Sequence, residues 1–130
     1  MSTLPINENT IVYGSSDAGL SIHTDNVAVM DTMREIGHKL NLKDHKVGAK
    51  FAEKNIATPV DLEAHYGFDQ RYYLLDFSRM FPPTVPDGTP SSYLFKLMRP
   101  EFVKRYSSPL CSDSFSNFIK NHNPEEHNKV

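Results

Sequence analysis

The stretch "PVDLEAHYGFDQRYYLLDF", residues 59–77, decides the fold. "VDLEAH" supplies one extended arm, "GFDQ" a turn and "RYYLLDF" a second arm, which together read as a β-hairpin. In the second arm Tyr72, Tyr73, Leu74, Leu75 and Phe77 leave both faces apolar, so an interior strand covered on both sides is predicted. One acid, Asp76, closes that arm. Arg79 follows three residues later, and Pro82 and Pro83 stop the run. An unpaired buried charge is unfavourable by several kcal/mol, so Asp76 is expected to be neutralised by Arg79, Arg71 or loop amides. The alternative reading takes Asp76 as a ligand-binding carboxylate, because α/β proteins place such groups at the C-terminal ends of strands.

Towards the N-terminus, "TIVYG" (residues 10–14) reads as a short strand. "SSDAG" then turns into "LSIHT", where Leu20, Ile22 and Thr24 alternate with polar neighbours, so a first hairpin is predicted. A helix follows, capped by Asp25 or Asn26, with Val29, Met33, Ile36 and Leu40 on one stripe. Gly37 inside it lowers its helical preference by about 1 kcal/mol relative to alanine. "LKDHKVGAKFAEKNIATP" reads as a strand or extended connection near residues 46–51. Beyond the hairpin, Pro82, Pro83, Pro86, Gly88 and Pro90 impose an irregular loop. "SSYLFKLM" reads as a helix capped by Ser91 or Ser92. "RPEFVKRY" reads as another, with Pro100 at its first position and Glu101 in the first turn. "SDSFSNFIK" reads as a last short helix, with Phe115, Phe118 and Ile119 on one side. The expected fold is a single α+β domain over residues 10–120, with β-hairpins or a small antiparallel sheet packed against three to four helices. A flexible segment, residues 1–9, precedes it, and a polar tail, residues 121–130, is expected to be disordered.

Composition narrows the function. The 130 residues are 38% hydrophobic and 23% charged, with a formal net charge of −2. Nucleic-acid modules concentrate basic residues on one face; here the basic clusters, "KDHKVGAK" and "RPEFVKRY", are short, so RNA is a partner that net charge does not support. No apolar run approaches the roughly 18 residues needed to cross a bilayer, and no membrane insertion is expected. "MSTLPINENT" has no signal-peptide character, and one cysteine, Cys111, fits a reducing compartment. A cytoplasmic protein is expected.

The residues offer little catalytic chemistry. His23, His38, His45 and His65 have no compact metal-ligand spacing, and His65 is expected to be a hydrogen-bonded histidine at the hairpin. "YGSSDAG" lacks phosphate-loop spacing. There is no G-x-S-x-G, and Cys111 has no locally indicated base. Neither an enzyme nor a cofactor is expected.

The order of the motifs resembles the central domain of the clustered-mitochondria (CLU) family. A G-S-x-D-x-G turn after a strand is matched by Gly14, Ser15, Asp17 and Gly19. A leucine- and lysine-rich "LxLKxHxV" segment is matched by "LNLKDHKVG", with His45 and Val47. The most specific part is a G-x-D-G-R-x-Y-x-L-D hairpin followed by x-x-R-x-F-P-P. It is matched by Gly67, Asp69, Arg71, Tyr73, Leu75, Asp76, Arg79, Phe81, Pro82 and Pro83. "LMRPEFVKRY" resembles the family's "LRPELV" helix. The likeness runs over about residues 11–119 and corresponds to the later part of that central domain. Gln70 departs from the pattern, standing where the family turn has glycine; a different or longer turn than type I′ is therefore implied. The resemblance implies cytosolic work on mitochondrial distribution, messenger RNAs for mitochondrial proteins and the translation machinery, through a protein partner or RNA and without catalysis. A looser likeness joins the hairpin and "LLDF" to the metal-holding Asp-Phe of protein-kinase-like folds, with Asp76 on magnesium. That reading lacks the glycine after "DF", the H-R-D-x-x-x-x-N loop and the Gly-rich loop.

Overall fold

A computed structural model describes residues 3–17, 19–48 and 54–116. In chain order the elements are β1 (Ile11–Tyr13), α1 (Val27–Lys39), β2 (His45–Val47), β3 (Lys54–Ile56), β4 (Glu63–Tyr66), β5 (Tyr72–Leu75), a 3-10 turn (Ser92–Leu94) and α2 (Pro100–Arg105). Two antiparallel sheets result, one in the order β1-β4-β5 and one pairing β2 with β3.

The hairpin is present, β4 pairing with β5 from Glu63↔Leu75 to Tyr66↔Tyr72. Gly67 N–H bonds Arg71 O, and Gln70 N–H returns to Gly67 O with Gln70 at φ +63°. This is a turn followed by one left-handed residue, a three-residue loop rather than a two-residue type I′ connection.

The expectation for β5 is overturned. It is an edge strand with Tyr72 57% exposed, because β1 takes the other side of β4 and makes β4, with Ala64 buried, the centre. The first hairpin is also corrected. β1 pairs with β4, whereas "LSIHT" meets it only through a Gly14↔His23 bridge. Gly14 has φ +83°, which turns the chain out of extended geometry directly after Tyr13.

Three to four helices over a sheet are likewise not found. The described residues hold two α-helices, of 13 and 6 residues. "SSYLFKLM" forms a single 3-10 turn because its end pairs with the proline loop instead of continuing. Thr84 N–H bonds Lys96 O and Met98 N–H bonds Pro82 O, both at 2.8 Å. Residues 111–116 form turns, and the remainder of the expected last helix, like the polar tail, lies outside the described residues.

Helix α1 starts on Asn26, whose Oδ1 accepts Val29 N–H at 3.1 Å. Its Val29 and Met33 pack with Tyr13, Val47, Ile56, Val60, Leu62 and Ala64 in the main core. Gly37 lets α1 approach the chain closely: a Cβ there would stand 2.8 Å from Ala57 Cβ. A second core joins Leu42, Val103 and Leu110, with Met80 touching both. Asn41, at φ +60° just past α1, donates from Nδ2 to Val103 O (2.7 Å) and Tyr106 O (2.9 Å), capping the end of α2.

Candidate functional site

Of the two charged residues after β5, the fold buries Arg79 and leaves Asp76 exposed. Arg79 leaves the turn after β5 and forks onto Asp61, with Nε to Oδ2 at 2.9 Å and Nη2 to Oδ1 at 2.7 Å. Its Nη2 also reaches Asp113 Oδ1 at 3.3 Å. The other oxygen of Asp113 accepts Val60 N–H at 3.0 Å and stands 2.6 Å from His45 Nε2. His45 Nδ1 lies 2.9 Å from Lys43 O. A carbonyl oxygen only accepts, so Nδ1 carries a proton, and Nε2 donates to a carboxylate already engaged elsewhere. This arrangement favours the imidazolium. Burial works against that charge, but the hydrogen bond to Asp113, with Cys111 adding to it, holds His45 well above the ordinary imidazole range. With the ring protonated, the two carboxylates Asp61 and Asp113 face the two cations Arg79 and His45.

This network joins four stretches of chain: the start of β2, the loop before β4, the turn after β5 and the segment after Leu110. The side chains of His45 and Asp113 are fully buried and that of Arg79 is 3% exposed. Beside it Tyr13 and Thr58 hydroxyls bond at 2.5 Å, and burial, first among the causes, pushes the Tyr13 phenol up to about 12. His45, Asp113 and Arg79 are out of reach of a solute and serve to hold the fold, while the Asp61 carboxylate, 34% exposed, closes the network at the surface.

Asp76, expected to be neutralised, is exposed at φ +65°, and among the described residues neither an ion pair nor a hydrogen bond joins it to Arg79 or Arg71. Placing the acid at φ > 0 turns its side chain out of the sheet, so no burial has to be offset. No group of three His, Cys, Asp or Glu side chains among the described residues could hold a metal ion. The missed partners of Arg79 are Asp61 and Asp113, 18 and 34 positions away. Neither stands in a pattern that marks it, and only the burial of Arg79 reveals them.

The other flagged residues serve local structure. Ser15 Oγ donates to Asp17 Oδ1 and accepts Gly19 N–H, while Asp17 also accepts Ser21 N–H; that contact first, then Ser15, lowers the Asp17 carboxyl. His65 spans Thr10 Oγ1 and Glu63 Oε2, each at 2.9 Å. Asp69 accepts Tyr73 OH and Arg71 N–H in the hairpin turn, where Arg71 is exposed. Phe81 packs on the second core, and Pro82 and Pro83 are fully buried.

Two surface features remain. Tyr66, Phe68 and Tyr72 are 42%, 68% and 57% exposed at the hairpin, with the Tyr66 and Tyr72 rings 4.9 Å apart. An apolar cavity of about 300 Å³ opens between α1 and β5, lined by Val29, Met33, Ile36, Ala64, Tyr72 and Leu74 among others. The class defined by these features is a small two-sheet α+β fold with a largely buried ionic network and an aromatic outer hairpin.

A family model, "Clustered mitochondria", matches residues 1–86, and the chain belongs to that family. "Protein clueless" of Drosophila ananassae is 33% identical over 79 residues, 60% of this chain and 5% of that protein. The clustered mitochondria protein homolog of Aedes aegypti is 32% identical over the same share of both. The homolog of Malassezia globosa is 30% identical over 111 residues, 74% of this chain and 8% of its own length. The chain thus spans only a small fraction of the curated relatives it matches. No solved structure matches it significantly. Among the described residues, no helix is long and apolar enough to cross a membrane.

Proposed function

We propose that this chain is a non-catalytic interaction module of CLU type. It works in the cytoplasm by binding a protein partner, in the mitochondrial setting that its relatives' names denote. Contact with messenger RNA or the translation machinery belongs to the same proposal, although a net charge of −2 does not favour phosphate binding.

The observation that carries the reading is the exposed aromatic group on the β4–β5 hairpin. Tyr66, Phe68 and Tyr72 stand exposed on the part of the chain with the most specific family motif, with the Tyr66 and Tyr72 rings in contact. Exposed aromatics of this kind anchor protein interfaces. The buried ionic network complements this, since it spends the conspicuous charges on holding the hairpin's support.

The test is capture from cytosol with the isolated chain, compared with a Tyr66→Ser/Phe68→Ser variant whose thermal melt matches the original. Recovery of a protein that the variant loses supports the proposal. Recovery of neither protein nor RNA above background, or equal recovery by the variant, overturns it.

A further inference from the structure

Strand β5 has an open edge that is complementary to itself. Tyr66 N–H bonds Thr10 O towards β1, and Gly67 N–H bonds Arg71 O towards β5. Backbone groups alternate along a strand, so those of Tyr73 and Leu75 face β4. The N–H and C=O of Tyr72 and Leu74 therefore face outward, and among the described residues no strand covers them. Natural edges are blunted by being very short or by charges, prolines or bulges, and β5, at four residues, is short. Tyr72–Leu75 contains no charge, proline or bulge.

We propose that this edge pairs with the β5 of a second copy of the chain, antiparallel and centred on Tyr73. A two-fold axis normal to a sheet keeps every residue on its own face, so the numbers of opposed residues must sum to an even value. Centring on Leu74 would set Tyr72 against Asp76, where φ +65° has already ended the strand. Centring on Tyr73 uses the whole strand. Tyr72 then opposes the partner's Leu74 and Leu74 the partner's Tyr72, each pair exchanging two backbone hydrogen bonds. Tyr72 and Leu74 also line the cavity beside α1, so the partner's Tyr72 and Leu74 arrive on the face where that cavity opens. On the opposite face the two Tyr73 rings meet at the axis.

Four residues a side make a small interface, so the dimer is weak and concentration-dependent. Sedimentation equilibrium of the unmodified chain from micromolar to millimolar concentration is expected to show monomer giving way to dimer. Over the same range amide exchange at Tyr72 and Leu74 is expected to slow about tenfold, with Tyr73 and Leu75 unchanged. Tyr73→Lys and Tyr73→Glu each set like charges across the axis and are expected to be monomeric; mixing them in equal amounts restores the dimer. A chain that stays monomeric to millimolar concentration, exchange at Tyr72 and Leu74 that ignores concentration, or a dimer indifferent to the Tyr73 substitutions overturns the proposal. The exchange measurement needs no variant and reads the backbone edge of β5, whereas the capture experiment reads the Tyr66 and Phe68 side chains; Tyr72 belongs to both surfaces.

Discussion

Arg79 and Asp76 lie three residues apart, and their environments are opposite. Arg79→Ala would leave Asp61 and the fully buried Asp113 short of a partner, and a loss of about 3–5 kcal/mol is expected in a denaturant titration. Asp76→Asn keeps a residue type that tolerates positive φ at an exposed site, and a change within about 0.5 kcal/mol is expected in the same titration. A comparable loss at both positions would show that Asp76 has a buried role after all. Gln70 presents a different case, a long side chain at φ +63° where glycine carries no steric penalty. Gln70→Gly removes about 1–2 kcal/mol of left-handed strain while adding unfolded-state freedom. A net gain of about 0.5–1 kcal/mol is expected from its thermal midpoint.

At the scale of elements, α1 shows packing overriding propensity. In an isolated helix Gly37→Ala would gain about 1 kcal/mol. Here the new methyl would stand 2.8 Å from Ala57 Cβ and 3.0 Å from Ala57 O, a backbone atom that cannot swing aside as a flexible side chain would. A net loss of about 1–3 kcal/mol is expected, and equilibrium unfolding of the variant measures it. Val29, Met33 and Ile36 of the expected stripe were legible because 3.6-residue periodicity is a property of the helix alone, whereas Leu40 caps the helix end and packs on the second core. Pro100 at the start of α2 and the β4–β5 hairpin were legible for the same local reason. The register of β1 was not. A three-residue strand carries too little pattern to choose between "LSIHT" and β4, and that choice was made by the core that Tyr13 enters with Leu62 and Ala64. Strand β5 was misread because an apolar run reports that a strand meets apolar surroundings, and not on which side a neighbour is missing.

Across the whole molecule, the buried network is expected to act as a pH-sensitive clamp. His45 has a folded pKa raised above its ordinary value, so its stabilising charge is fully present below about 6.5, the unfolded value. That contribution is lost as pH rises through the folded pKa. The thermal midpoint is therefore expected to fall on the alkaline side of neutrality, and His45→Gln is expected to flatten that slope while lowering the midpoint at acid pH. An unchanged slope in the variant would remove His45 as its source. By itself the sequence determined the local vocabulary: the main helix, the hairpin, the proline loop and the family motif. These rest on periodicity, turn chemistry and residue order within a few positions. Only the tertiary structure decided which strand is the edge, that Asp76 is exposed, and that Arg79 is held by Asp61 and Asp113. Such pairings are chosen by which distant segments the core brings together, and the free energy of burying a charge depends on that assembly rather than on its neighbours in the chain.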